Sequence, residues 1–333
     1  MNRFQFAAAS FSLAAAPALM AQGFMTGFET PTYTGSAAGT GIAGQDSWFI
    51  PAVAGSIDGL VMTYAGNAFG LPVNPSGGGE QLLVSRSNGG TAFARSQREG
   101  MTFDTVSEFC YDVAGAFNGT PPSAQNLGSF SLQPLPNPAI PTSKGLIQLN
   151  TWVDVNNPTS WSVSYLAYDA GGVLFAGSGQ FAGPEWQNLP LNHWFRVCTT
   201  IDFSLNMVTS VSITDLTTNI TASAAPINWF LGGGQNSTLP VPTGVRFFAG
   251  GAAGNIMAWD NANFGVELPP PCPADFNDSG SVTSADITSF LSAWFADVLN
   301  GTTVADFNES GGTTSADITA FLAAWFEAIA NGC

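Results

Sequence analysis

Between residues 58 and 265 the chain alternates apolar and polar positions in short runs: 58–65, 80–86, 91–97, 101–116, 127–134, 145–155, 160–169, 172–177, 192–203, 207–215, 244–250 and 256–265. A period of two is that of a strand with one face buried, and Gly, Pro, Asn and Ser punctuate the runs as turn formers do. No convincing long amphipathic helix precedes residue 283. A series of this kind predicts a mainly β fold, a β-sandwich of the jelly-roll type. After 283 the period changes. Ile287, Phe290, Leu291, Trp294 and Val298 recur at helical spacing, and so do Ile318, Phe321, Leu322, Trp325 and Ile329. Two short helices of this sort cannot bury their apolar faces singly, but they can bury each other.

The helical stretches belong to an internal repeat. Residues 275–301 and 306–332 match at 18 of 27 positions with an offset of 31. Each copy opens with a run of oxygen-bearing residues at alternate positions, a Gly at the sixth and an Asp at the twelfth. In the first copy these are Asp275, Asn277, Ser279, Gly280 and Asp286; in the second, Asp306, Asn308, Ser310, Gly311 and Asp317. The backbone carbonyls of Ser281 and Gly312 fall at position seven, and Thr283 and Thr314 at position nine. This is the spacing of a calcium loop: a hard cation takes six to eight oxygens, and Gly permits the sharp turn that brings them together. Thr283 and Thr314 are also placed to cap the helices, with Asp286 and Asp317 completing a capping box. Each loop has only two carboxylates, and Asp is a methylene shorter than the usual Glu. Affinities of about 10⁻⁴ to 10⁻³ M are expected, the range of extracellular modules.

On these motifs residues 272–333 resemble a type I dockerin, a tandem of EF-hand-like loop–helix calcium repeats without the leading helices. Cys272 just before the first loop and the ending Asn331-Gly332-Cys333 are similar to a bacterial subgroup that closes on Gly-Cys. The resemblance implies attachment of a secreted protein to a cohesin-like partner. In cellulosomal dockerins recognition uses Ser/Thr at loop positions 10 and 11 and basic residues at 17 and 18. Here those positions hold Ser284-Ala285 and Leu291-Ser292, then Ser315-Ala316 and Leu322-Ala323. The basic pair is absent, so another surface or scaffold protein is the more fitting form of partner.

Charge narrows the function further. Net charge is -16, with seven Lys and Arg against 23 Asp and Glu. A chain of this balance has no basic face for nucleic acid, and an anionic membrane surface is disfavoured for the same reason. The segment 272–333 carries eight acids and no Lys or Arg. Without cation that charge repels itself, so the repeat is expected to be loose unless calcium is bound. Residues 1–21 read as a secretory leader: Arg3, then an apolar Ala-rich run from Phe4 to Met20, with cleavage after Ala21. No later segment is long and apolar enough to span a membrane. The expected layout is a leader (1–21), a sandwich domain (22–266), a Pro-rich linker (267–273) and the repeat (272–333).

Four cysteines suit an oxidising compartment and allow three pairings. A bridge between Cys272 and Cys333 would close the repeat into a ring. Cys110 and Cys198 then remain, each on the polar side of its strand, where a cross-strand disulfide is the expectation and two free thiols the alternative.

The sandwich offers little catalytic chemistry. His193 is the single histidine, and beside Trp194 in a strand it reads as a packing residue. No His/Cys cluster suggests zinc. Glu29, Glu80, Glu99, Glu108 and Glu185 form no compact glycosidase motif, though a pair brought together from distant strands stays open. Trp152, Trp161 and Trp186 offer either core or a sugar-stacking platform. His193–Asp202 with Val208–Asp215, and Gly27-Phe28-Glu29 with Trp259-Asp260-Asn261, are similar to strands of concanavalin-like or laminin-G-like jelly rolls. In many of these a structural calcium joins first and last strands, which makes Glu29 and Asp260 candidates. The expected function is a secreted, non-catalytic protein whose sandwich binds a ligand, a glycan above all, or is structural, anchored through the calcium module. The alternative is a dockerin-bearing polysaccharide-degrading enzyme.

Overall fold

The computed structural model describes residues 23–77, 79–119, 127–133, 145, 147–150, 160–176, 185–266, 272–277 and 282–331. The expected leader, most of the linker, Trp152, Ser279, Gly280, Ser281 and Cys333 lie outside them. The chain divides into two compact units, 1–266 and 267–333.

The first unit is built from strands β1 (Phe24–Thr26), β2 (Thr40–Gly41), β3 (Ser56–Ile57), β4 (Leu60–Thr63), β5 (Gln81–Gly89), β6 (Ala92–Arg98), β7 (Val106–Phe117), β8 (Gly128–Gln133) and β9 (Ile147–Asn150). They are followed by β10 (Ser160–Trp161), β11 (Val163–Tyr168), β12 (Leu174–Ala176), β13 (Leu189–Pro190), β14 (Phe195–Asp202), β15 (Met207–Asp215), β16 (Ile220–Ala224), β17 (Gly244–Ala249) and β18 (Asn255–Phe264). The main sheet runs β12-β11-β9-β8-β17-β6-β5-β18-β7-β14-β15-β16. It turns over at the β5–β6 hairpin, so that its two halves face each other as a sandwich. Aromatic rings fill the space between them: Tyr111 on β7 meets Phe130 on β8 at 4.9 Å, and Trp259 on β18 meets Phe247 on β17 at 4.5 Å. Burial of such rings is the main stabilising term, at about 25 cal/mol per Å² of apolar surface.

Alternation decides which residues join that core. Phe109, Tyr111 and Val113 of β7 point inward, and Asp112, Ala114 and Ala116 point to the other face. That outer face is not left to solvent. Tyr64, Phe69 and Leu71 pack over Ala114, Ala116, Trp194, Ile256 and Ala258 as a second, smaller core. On β18 the pairing with β7 shifts between Asp260 and Asn263, with Asn261 at φ 42. This bulge reverses the alternation. Asp260 falls on the outer face while Ala262 and Phe264 enter the main core. β16, absent from the predicted runs, carries no buried residue and so shows no apolar period.

The second unit contains helices α1 (Ser284–Asn300) and α2 (Ser315–Asn331). Thr283 caps α1 in a full capping box with Asp286, and Gly301 ends it in the left-handed region at φ 71. Phe290 and Phe321 stack between the helices at 4.3 Å and 9°, flanked edge-on by Phe276 and Phe307. The helix faces need one correction. Val298 and Ile329, expected inside, are 55% and 54% exposed, and Phe295 and Phe326 beside them are exposed as well. With only one partner helix, each face has room for a narrower stripe than its apolar positions supply. No helix among the described residues is long and apolar enough to cross a membrane.

Candidate functional site

The second repeat loop is described throughout, and its oxygens converge. The Ser310 N–H donates to Asp306 Oδ1 at 2.9 Å and to Asn308 Oδ1 at 3.0 Å, and the Gly311 N–H donates to Asp306 Oδ2 at 2.7 Å. The Ser310 hydroxyl lies 3.4 Å from Asp306 Oδ1 and 3.3 Å from the Gly312 carbonyl. Asp317 closes the loop from the start of α2, accepting from the Asn308 N–H at 3.1 Å and the Thr314 N–H at 2.7 Å. Gly311 has φ +91, a conformation that side chains other than Gly rarely adopt. In the first loop Asp286 accepts from the Asn277 N–H at 3.2 Å and the Thr283 N–H at 2.8 Å, and the Asp275 side chain reaches it too. Ser279 and Ser281 fall outside the described residues.

Electrostatics match this geometry. The Thr314 N–H above all, then that of Asn308, holds the Asp317 carboxyl below its usual range against the effect of burial. Burial pushes Asp286 up, but donors from Thr283 and Asn277 outweigh it and leave it low. Asp286 and Asp317 are therefore held as carboxylates, with no Lys or Arg in the unit to neutralise them. An oxygen-only donor set of this composition fits a hard divalent cation such as calcium: Asp306, Asn308, Ser310, the Gly312 carbonyl and Asp317 would hold it in the second loop.

One contact ties each loop to the opposite helix. Trp294 Nε1 donates to the Thr314 carbonyl at 2.7 Å, and Trp325 Nε1 to the Thr283 carbonyl at 2.9 Å. Among the described residues a third contact exists in one copy only. Asp297, buried near the end of α1, accepts from the Ala305 N–H at 2.6 Å, the Thr313 hydroxyl at 2.9 Å and the Thr302 hydroxyl. It staples the entry of the second loop to its eighth position. The sequence held a signal for it: the equivalent residue 31 positions on is Ala328, so the repeat breaks at this position.

In the sandwich, Cys110 and Cys198 are directly opposite on β7 and β14 and form a disulfide, on the outer face as expected. Cys272 is also disulfide-bonded, while its expected partner Cys333 lies outside the described residues. Among the described residues Glu108, Cys110 and Cys198 are the one group of three or more His, Cys, Asp or Glu close enough to share a metal, and the disulfide takes up both cysteine sulfurs. Trp161 and Trp186 are buried, which makes them core rather than a platform. His193 Nε2 faces the Thr217 hydroxyl and lies 3.4 Å from Asp215 Oδ1.

Sequence reasoning missed a buried polar network beside the disulfide. Asp260, Asp112 and Arg196 occupy matching positions on β18, β7 and β14. Arg196 grips Asp112 through two contacts, Nε to Oδ1 at 2.7 Å and an Nη to Oδ2 at 3.0 Å. The Asn74 amide donates to Asp112 at 2.8 Å and to Asp260 at 3.3 Å; Tyr64 donates to Asp260 at 2.7 Å, and Ser76 to Asp112 at 2.7 Å. Both carboxylates are fully buried. Burial pushes Asp260 up to about 7, against its donors and with the charge of Asp112 adding to the rise. Glu29 has other partners: it accepts from the Gln81 N–H at 2.7 Å and packs on Gly79, whereas Asp260 is bound to Tyr64 and Asn74. No shared cation site between Glu29 and Asp260 emerges from these contacts.

No family model matches the chain, and no curated protein matches it. Solved structures similar to it are β proteins. A carbohydrate esterase from the Shiga toxin-encoding bacteriophage phi24B aligns at 8% identity and TM-score 0.34, over 57% of this chain and 83% of its own. Arcelin-5, a lectin-like defence protein from Phaseolus vulgaris, aligns at 10% identity and TM-score 0.34, over 55% and 85%. An alginate lyase from Chlorella virus aligns at 13% identity and TM-score 0.34, over 56% and 85%.

Proposed function

We propose that this chain is a secreted, non-catalytic glycan-binding protein, held outside the cell by a dockerin-like module that folds around calcium. The observation that carries the reading is the second loop, where Asp306, Asn308, Ser310, Gly312 and Asp317 converge and Asp317 begins the helix. Its near-identical first copy supports the same role for Asp275, Asn277 and Asp286, with Ser279 and Ser281 completing the set by spacing. Phe295 with Val298, and Phe326 with Ile329, are exposed at equivalent positions of the two helices. Apolar pairs of this kind suit a cohesin-like or other scaffold partner better than bulk water. The leader at 1–21 and the disulfides support export.

An enzymatic reading through Asp112 and Asp260 is not supported by their surroundings. Both are sealed beneath residues 64–77 with protein donors on their oxygens, and Asp112 is neutralised by Arg196, so they act as a clamp for that segment. The test is a glycan array with the full-length protein, run beside an assay for released reducing or unsaturated sugar. Binding without product is the expected result. Release of product would replace this reading with the enzymatic one.

A further inference from the structure

A cleft of about 320 Å³ opens between residues 185–193 and the β14–β15–β16 edge of the sheet. Its floor is apolar, from Leu189, Phe195 and Ile213; its rim is polar, from Glu185, Asn188, Asp215 and Thr218. Both walls are pinned. On one side β13 pairs with β10, Trp161 Nε1 donates to the Pro190 carbonyl at 3.2 Å, and the Asn192 N–H donates to the Gly115 carbonyl at 2.8 Å. On the other, Asp215 Oδ1 accepts from the N–H groups of Thr217 at 2.8 Å and Thr218 at 3.3 Å, which fixes the β15–β16 turn, while His193 faces the same oxygen. A preformed apolar cleft with a few converging polar groups is the usual form of a small-molecule site, and this one lies at the small end of the ~300–1,000 Å³ range. Binding there orders little of the protein, so little of the contact energy is lost to entropy.

We infer that this cleft is the ligand site of the sandwich and takes an uncharged pyranose at the end of a glycan; the inference rests on the glycan-binding reading above and gives it an address. Three features of the cleft select that chemistry. Its size admits a terminal sugar unit rather than a length of polymer. The floor matches the C–H face of a pyranose ring. The rim matches its hydroxyls, because a carboxylate accepts O–H donors in strong charge-assisted bonds, and the Asn188 amide both donates and accepts. Among the described residues no Lys or Arg lines the cleft, and the carboxylates of Glu185 and Asp215 repel an acidic sugar. Among the described residues these acids and His193 form no group close enough to share one metal ion.

The experiment is saturation-transfer NMR on the full-length protein. The probes are methyl glycosides of glucose, galactose and mannose together with sodium glucuronate, followed by the array glycans that bind. Glu185 is exposed and Thr218 lies on the turn, so Glu185→Gln and Thr218→Trp leave the core intact. The expected result is binding of an uncharged pyranoside that weakens at least tenfold in each variant, with no signal from glucuronate. Binding unchanged in both variants overturns the site and leaves the glycan reading standing. Binding of glucuronate alone overturns the ligand class. A blank array sinks the glycan reading, and this inference with it.

Discussion

Asp112 in the sandwich and Asp317 in the repeat are both fully buried aspartates, and the protein neutralises them in opposite ways. Asp112 has its own cation. Arg196, one strand away, grips both carboxylate oxygens, and the amide and hydroxyl donors around it complete the set. The charge of Asp112 is balanced within the chain. Asp317 has only N–H and hydroxyl donors, in a unit with no Lys or Arg. Those donors preorganise the carboxylate without cancelling it. On the proposed reading, a unit of 67 residues with one phenylalanine stack and two helices would hand part of its stability to an ion, whereas a sandwich with a large aromatic core can bury a self-contained ion pair.

The largest expected effect is on the repeat. Removing calcium with a chelator should abolish the helical circular-dichroism signal of α1 and α2 and leave the strand signal of the sandwich in place. Helicity unchanged by chelation would end the claim that the unit depends on an outside cation.

Next comes Arg196→Ala. It leaves Asp112 buried with its charge uncompensated, and breaking such a pair typically costs about 3–5 kcal/mol. Denaturant unfolding of the sandwich should show that loss, with calcium binding by the repeat unaltered.

A smaller effect is expected from pH. Asp260 binds its proton more tightly folded, with its value up at about 7, than unfolded. Its contribution is fully present below the ordinary carboxylate range and is lost as pH rises through about 7, with a slope of at most ~1.4 kcal/mol per pH unit. The stability of the sandwich from pH 5 to 8 should fall accordingly, and Asp260→Asn should flatten the curve. The repeat should respond with the opposite sign, because protons compete with the cation for its carboxylates as pH falls.

The smallest effect separates the two copies. Asp297→Asn removes the staple that only the second loop has. Loss of such an outer support typically costs ~10–100-fold in metal affinity. Calorimetry should show the weakening at one site of the two, with the first loop close to its original affinity.

The strands and helices were legible because their periods are local. Alternation on β7 and β14 placed Cys110 and Cys198 on one face, and the structure pairs them. The oxygen donors of the second repeat loop were legible too, since one stretch of twelve residues holds them all. Val298 and Ile329 were misread because periodicity reports which positions are apolar but not how many neighbours exist to cover them. The Asp112–Asp260–Arg196 row was invisible because its members come from three strands, with Asp112 and Asp260 148 positions apart. The bulge at Asn261 also reverses the alternation by which Asp260 would have been placed.

The sequence by itself therefore determined the β architecture, the doubled oxygen-donor loops and the excess of acid in the repeat, all properties of neighbouring residues and of composition. Only the tertiary structure decided which buried acid meets a cation of its own, which apolar helix positions stay uncovered, and where two loops leave a cleft. Those depend on contacts between distant segments, and no local pattern encodes them.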